Sequence, residues 1–241
     1  LLNPIFVPYG GDPHMTFRLT LGIDEAGRGP GIGPMVLAAV AVDEVSEKLL
    51  QRAGVRDSKD FGSSVTGQKA RAQLAEIIRR RAVWTSFEVC NVEDVDAYVA
   101  RSALNELERE RAAHLIRRAP ACGRIIADGR ALFAPMIAEF RHLEAVDRAE
   151  AEHIAVAAAS ICAKALRDEL FEAIALRYEP DFGALRGGGY VNRATLVFVS
   201  EYVRRHGCLP PEARKSWPWR GVPGFGDDNS CTTPLLAARV R

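Results

Sequence analysis

Two adjacent carboxylates, Asp24 and Glu25, stand directly before a glycine-rich stretch that carries one arginine, Gly27-Arg28-Gly29. Such a pair offers ligands to a cation, and glycine backbone lets N–H groups come close to a phosphate or a sugar. A third carboxylate, Asp128, ends the apolar run 124–127 and is followed by Gly129, which lets the chain turn away. Farther on, Glu150, Glu152 and His153 lead into Ser160, Lys164, Arg167 and Asp168, spaced by three and four so that they share one stripe of a helix. An ammonium and a guanidinium on that stripe suit a phosphate backbone. Taken singly, each feature has a plainer reading as a charged turn, an Asp-Gly turn or a wet helix face. Together, carboxylates from distant segments suit hard, oxygen-preferring cations such as Mg²⁺ or Mn²⁺, and a pair of such ions suits phosphoryl transfer.

Other chemistries have less support. The five cysteines, Cys90, Cys122, Cys162, Cys208 and Cys231, are odd in number and form no C-x-x-C pair, so neither a disulfide framework nor a structural zinc site is indicated. Ser160 lies in no nucleophile-elbow pattern, and a lone His153 at a helix start reads as polar surface or a cap. Gly187-Gly188-Gly189-Tyr190 reads equally well as a nucleotide-holding tyrosine beside flexible backbone or as a helix connection. Net charge is +1, from 32 basic and 31 acidic residues, so any nucleic-acid surface must be local. The clusters Arg79 to Arg81, Arg109 with Arg111, Arg117 and Arg118, and Arg204 with Arg205 read as solvated helix faces. No run approaches the length of a membrane span, and the start of the chain lacks the pattern of a signal peptide. With reduced cysteines, that points to the cytoplasm and to no membrane association.

The elements that must position these residues follow from periodicity. Residues 17–23 read as a strand entering the acidic pair. Residues 35–42 are apolar on both faces, as a strand in the middle of a covered sheet should be. The glycine link between them implies a hairpin, so the sheet is mixed. Residues 68–80 have helical spacing, 82–89 form the next strand, and 92–118 form one long charged helix or two. Short strands are expected at 124–127 and 142–146. Residues 154–178 form an alanine-rich helix suited to close packing, and 194–205 a last amphipathic helix. The expected fold class is α/β, with a mixed sheet flanked by helices. The chain divides into an irregular extension at 1–16, a domain at 17–209 that includes the C-terminal helices, and a loosely ordered Pro/Gly-rich tail at 210–241. In that tail Trp217 and Trp219 are expected to pack on the domain.

The motifs Gly22-Ile23-Asp24-Glu25-Ala26-Gly27-Arg28-Gly29-Pro30, Asp57-Ser58-Lys59, Asp128-Gly129, and Ala158-Ala159-Ser160-Ile161-Cys162-Ala163-Lys164 followed by Arg167-Asp168 resemble the successive signatures of the ribonuclease HII family. The resemblance spans residues 21–190. It implies a ribonuclease H-like fold with a C-terminal helical appendage, and an endonuclease that cuts RNA·DNA hybrids and ribonucleotide-containing duplex DNA. It further implies four acids holding two divalent ions, Mg²⁺ or Mn²⁺. No organic cofactor is needed for that chemistry, and the protein is expected to be a monomer. Asp24, Glu25 and Asp128 fall on the first three acidic positions. The fourth, an aspartate in the family, falls on Glu150, with Asp147 as the competing candidate. Gly27, Arg28 and Gly29 inherit recognition of the 2′-hydroxyl, and Tyr190 sits where a tyrosine senses the RNA-to-DNA junction. Lys59, Ser160, Lys164 and Arg167 would contact phosphates or hold the acidic cluster in position.

Overall fold

The structure is a computed structural model, and it describes residues 19–56, 61–62 and 64–225. Its five strands are β1 (Thr20–Ala26), β2 (Met35–Val42), β3 (Trp84–Cys90), β4 (Arg124–Asp128) and β5 (Leu143–Val146). They lie in the order β3-β2-β1-β4-β5. β1 pairs antiparallel with β2 and parallel with β4, so the glycine link does produce a hairpin inside a mixed sheet. The helices are α1 (Glu44–Arg52), α2 (Val65–Arg81), α3 (Val92–Val99), α4 (Leu104–Arg118), the single turn α5 (Arg130–Phe133), α6 (Ile154–Phe182) and α7 (Arg193–His206). The long charged stretch is thus two helices, parted where Ser102 takes a positive φ.

Every residue of β2 is buried, which requires cover on both sheet faces. Val36, Ala38, Val40 and Val42 pack with α2 and the alanine face of α6. Leu37, Ala39 and Ala41 alternate to the other face, where Leu21, Ile23, Ile125 and Ala127 meet Leu107, Ala112 and Leu115 of α4. β1 approaches α6 so closely that a Cβ on Gly22 would stand 2.1 Å from the carbonyl carbon of Ala155. This contact is what the small residues of α6 make possible, and it brings Ser160 and Lys164 to the end of β1.

Two features differ from the sequence-based expectations. β1 runs through Ala26 rather than ending at 23, because Asp24, Glu25 and Ala26 continue the ladder opposite Ala38, Leu37 and Val36. The two acids therefore sit inside the strand and alternate in face. Asp24 faces the α6 side, and Glu25 faces the α4 side. The boundary expected after residue 209 is also no boundary of packing. Ala213, Arg214, Trp219 and Val222 are buried, and Leu209, Ala213, Trp219 and Val222 join Phe171, Ile174 and Phe198 in a third apolar cluster. Turn-rich composition hid this, because the buried residues there follow neither helical nor strand periodicity. The stretches 1–18 and 226–241 lie outside the described residues.

Candidate active site

Asp24, Glu25 and Asp128 gather at the C-terminal ends of the neighbouring parallel strands β1 and β4, where open α/β sheets place their sites. Asp24 is buried, and its carboxyl is held well above its ordinary range, chiefly by burial, then by the charges of Glu25 and Asp128. The Ser160 hydroxyl and the Lys164 ammonium oppose that rise. Burial likewise pushes Glu25 up to about 7, with Glu108 and Asp128 adding to the effect and Arg28 opposing it. Asp128 is fixed by the Ala149 N–H, which donates to its Oδ1 at 2.9 Å. Gly129 takes φ 107° and starts the turn into α5.

The two candidates for the fourth acid have different surroundings. Glu150 lies in a 3₁₀ turn, Ala149–Ala151, and is 3% exposed. The Ser160 hydroxyl donates to its Oε2 at 2.8 Å, and Lys164 Nζ stands 3.7 Å from the same oxygen and 2.9 Å from Ser160 Oγ. Asp147 is exposed, and its Oδ1 accepts the Arg130 N–H at 2.7 Å at the start of α5. The structure thus brings Glu150 to Ser160 and Lys164, the residues that face Asp24, while Asp147 serves a local turn.

The proposed phosphate-contacting stripe divides once it is folded. Lys164 is half-buried. Ser160 is fully buried, and Arg167 is 4% exposed with its guanidinium donating to the Ile32 carbonyl at 2.8 Å. Those two bond to neighbouring structure, Ser160 to Glu150 and Arg167 to the loop that covers it. Asp168 pairs with Arg71 of α2 at 2.7 Å. Tyr190 is 56% exposed and lies against the glycine loop, where a Cβ on Gly29 would stand 3.2 Å from its ring. Lys59 lies outside the described residues. The arginine clusters bond to neighbouring acids, Arg79 and Arg80 to Glu76, Arg117 to Glu139, Arg118 to Glu88, and Arg204 and Arg205 to Glu201, as solvated faces do.

Sequence reasoning missed Glu108. This residue of α4 is fully buried; one oxygen accepts from Arg28, and the other has no hydrogen-bond partner among the described residues. Burial pushes its carboxyl up to about 7 against the pull of Arg28 and Arg109. The signal was present, since Leu104, Glu108 and Ala112 recur every four residues and put an acid on the apolar face of the helix. With Asn105 accepting the other Arg28 nitrogen at 2.6 Å, the Arg28 side chain is tied to α4, so what loop 27–29 can offer a substrate is its backbone.

The donor set is entirely carboxylate oxygen, which suits Mg²⁺ or Mn²⁺ and not zinc. Among the described residues, no three His, Cys, Asp or Glu side chains already form a closed metal cluster. The crowding of these acids fits a cation, because Asp24 and Glu150, buried, and Glu25 and Asp128, half-buried, together call for more positive charge than Lys164 and Arg28 supply. A pH dependence follows. The folded-state values of Glu25 and Glu108 lie above the unfolded value of 4.5, so the folded protein holds more protons between these values. The stability they contribute is present below about pH 4.5 and is lost as pH rises through about 7 in the metal-free protein. Cation binding needs the ionised acids, so Mg²⁺ should raise Tm more at about pH 8 than at about pH 5.5. Thermal melts with Mg²⁺ or a chelator test this; a gain independent of pH would place the ion away from these acids.

A five-stranded mixed sheet in this order, flanked by helices and carrying acids at the ends of adjacent strands, defines a ribonuclease H-like protein. The family profile of ribonuclease HII matches residues 21–218. A ribonuclease HII of Cenarchaeum symbiosum is 36% identical over 208 residues, covering 83% of this chain and 95% of that one. The crystal structure of ribonuclease H2 from Pyrococcus horikoshii superposes with a TM-score of 0.71 at 27% identity, covering 83% of this chain and 94% of the other. The ribonuclease HII of Archaeoglobus fulgidus, solved in complex with PCNA, gives 0.65 at 30% identity, covering 81% and 91%. The chain belongs to the ribonuclease HII family, metal-dependent endoribonucleases that act on RNA·DNA hybrids.

Proposed function

We propose that the protein hydrolyses the phosphodiester on the 5′ side of a ribonucleotide, in an RNA·DNA hybrid or embedded in duplex DNA, leaving 3′-hydroxyl and 5′-phosphate ends. The observation that carries this reading is the meeting of two unlike features at one strand end. Buried Asp24 and half-buried Glu25 lie at the end of β1, and the exposed residues Arg28 and Gly29 follow directly, with the Tyr190 ring beside Gly29. The 2′-hydroxyl is the local feature that separates RNA from DNA, and close backbone approach is a way to read it.

Asp24, Glu25, Asp128 and Glu150 would hold two divalent ions, which when bound lower the pKa of a water and stabilise a leaving oxygen. Ser160 and Lys164 keep Glu150 turned toward Asp24, and the half-buried Lys164 ammonium is placed to meet a phosphate of the cut strand. The exposed Tyr190 ring offers a stacking surface at the junction. The reading takes the protein to act as a monomer without an organic cofactor.

Matched duplexes carrying zero, one and several ribonucleotides, incubated with Mg²⁺ or Mn²⁺, test the proposal. Cleavage is expected on the 5′ side of each ribonucleotide and nowhere in the all-DNA duplex. Intact ribonucleotide-bearing strands would sink the reading, and efficient cutting of all-DNA would reassign the enzyme to DNA substrates.

A further inference from the structure

The inner side of loop 27–33 is held almost entirely by side chains and backbone from elsewhere. Arg214 donates from Nη2 to the Gly27 carbonyl at 2.6 Å and from Nη1 to the Arg28 carbonyl at 3.0 Å. It also donates from Nε and Nη2 to the Gly33 carbonyl at 3.1 and 3.0 Å. Its own N–H donates to the Gly31 carbonyl at 2.8 Å. Trp217 Nε1 takes the Gly29 carbonyl at 2.9 Å, and Arg167 takes that of Ile32.

Arg214 is fully buried, and its guanidinium forms no ion pair with a carboxylate among the described residues. Burying a cation against carbonyl dipoles and the Trp217 ring, whose centroid lies 4.7 Å from the guanidinium carbon, without a carboxylate partner is expensive compared with an apolar filler of the same volume. Only a planar fork of five donors reaches Gly27, Arg28 and Gly33 at once; a lysine presents its donors from a single atom. The side chain therefore does something for the loop that packing would not.

What it does follows from peptide geometry. The described chain has no cis peptide bonds. In a trans peptide the carbonyl of one residue and the N–H of the next point in opposite directions. Drawing the Gly27 carbonyl inward turns the Arg28 N–H outward, and drawing the Arg28 carbonyl inward turns the Gly29 N–H outward. Both residues are exposed, Gly29 beside Tyr190, and neither N–H has a partner among the described residues. We propose that Arg214 is the positioning residue for ribonucleotide recognition, aiming the Arg28 and Gly29 N–H groups at the 2′-hydroxyl of the nucleotide to be cut. The inference rests on the reading of loop 27–29 given above.

Steady-state cleavage of a duplex with one ribonucleotide, in Mg²⁺, by the wild type and by Arg214→Ala, Arg214→Lys and Val199→Ala tests it. Val199 is a buried residue of the third apolar cluster, on α7, whose side chain cannot hydrogen-bond to the loop or the acids, and its truncation controls for lost stability. Arg214→Ala is expected to lose about a hundredfold in kcat, the scale of misplaced recognition groups, with KM changed by less than about threefold. Arg214→Lys should not restore kcat, while added guanidinium ion should restore part of it to Arg214→Ala. Val199→Ala, at a comparably lowered Tm, should keep near wild-type kcat. The proposal is overturned if Arg214→Lys turns over like the wild type, if the loss is confined to KM, or if Val199→Ala loses as much. An inactive wild type would instead refute the reading of the loop on which the proposal stands, and the proposal with it.

Discussion

Asp24→Asn should lower cleavage of a ribonucleotide-bearing duplex by about a thousandfold or more, the loss expected when a charge-stabilising group is removed from a preorganised site. Among the four acids, Asp24 is the one whose carboxyl feels the neighbouring charges of Glu25, Asp128 and Lys164 together, along with the Ser160 hydroxyl. Asparagine preserves the shape and can still accept the Glu25 N–H that reaches Asp24 Oδ1 at 2.8 Å. What disappears is the charge. Because burial already disfavours that charge, the metal-free variant should melt no lower than the wild type near neutral pH, and the gain in Tm from Mg²⁺ should shrink. Turnover within tenfold of wild type would remove Asp24 from the centre of the site. A collapse of the metal-free fold would assign it a structural role instead.

The second large effect separates the two acids that the sequence left in competition. Glu150→Gln is expected to lose about a hundredfold in kcat, while Asp147→Ala stays within about threefold. Glutamine keeps an acceptor for the Ser160 hydroxyl and removes only the charge, so the buried turn around it should survive. Asp147→Ala removes the acceptor of the Arg130 N–H, and its effect should appear as a small drop in Tm, of the order of a lost helix cap at about 1 kcal/mol. Parallel kinetics and melts of the two variants distinguish the roles. The reverse ranking in kcat would move the fourth ligand to Asp147 and leave Glu150 as a buried partner of Lys164.

Much of the fold was legible because it rests on local pattern. β2 announced itself as a strand covered on both faces, and the structure buries it on both. The alanines of α6 foretold a helix in close contact, and that contact is with Gly22 of β1. Fidelity fell at the ends of elements. β1 was expected to stop before its acids, because charge normally marks the end of a buried strand, yet its pairing with β2 carries Asp24 and Glu25 inside the ladder. Arg167 looked like a surface cation because helical spacing says which residues share a stripe, not how deeply the neighbouring loop covers it.

The acids, the glycine loop and the helix bearing Ser160 and Lys164 were therefore determined by the sequence itself, since residue type and short spacing suffice to state what chemistry each segment could do. Their orientation was decided only by tertiary structure. The Arg28 side chain is held by Glu108, Glu150 and not Asp147 is brought against Ser160, and the carbonyls of Gly27, Arg28 and Gly33 accept from Arg214. Arg214 lies 187 residues from Gly27 along the chain, in a turn-rich segment without periodicity. No local pattern encodes such a contact, because it comes into being only when the sheet and its covering segments have packed and a buried cation must find its acceptors among the carbonyls within reach.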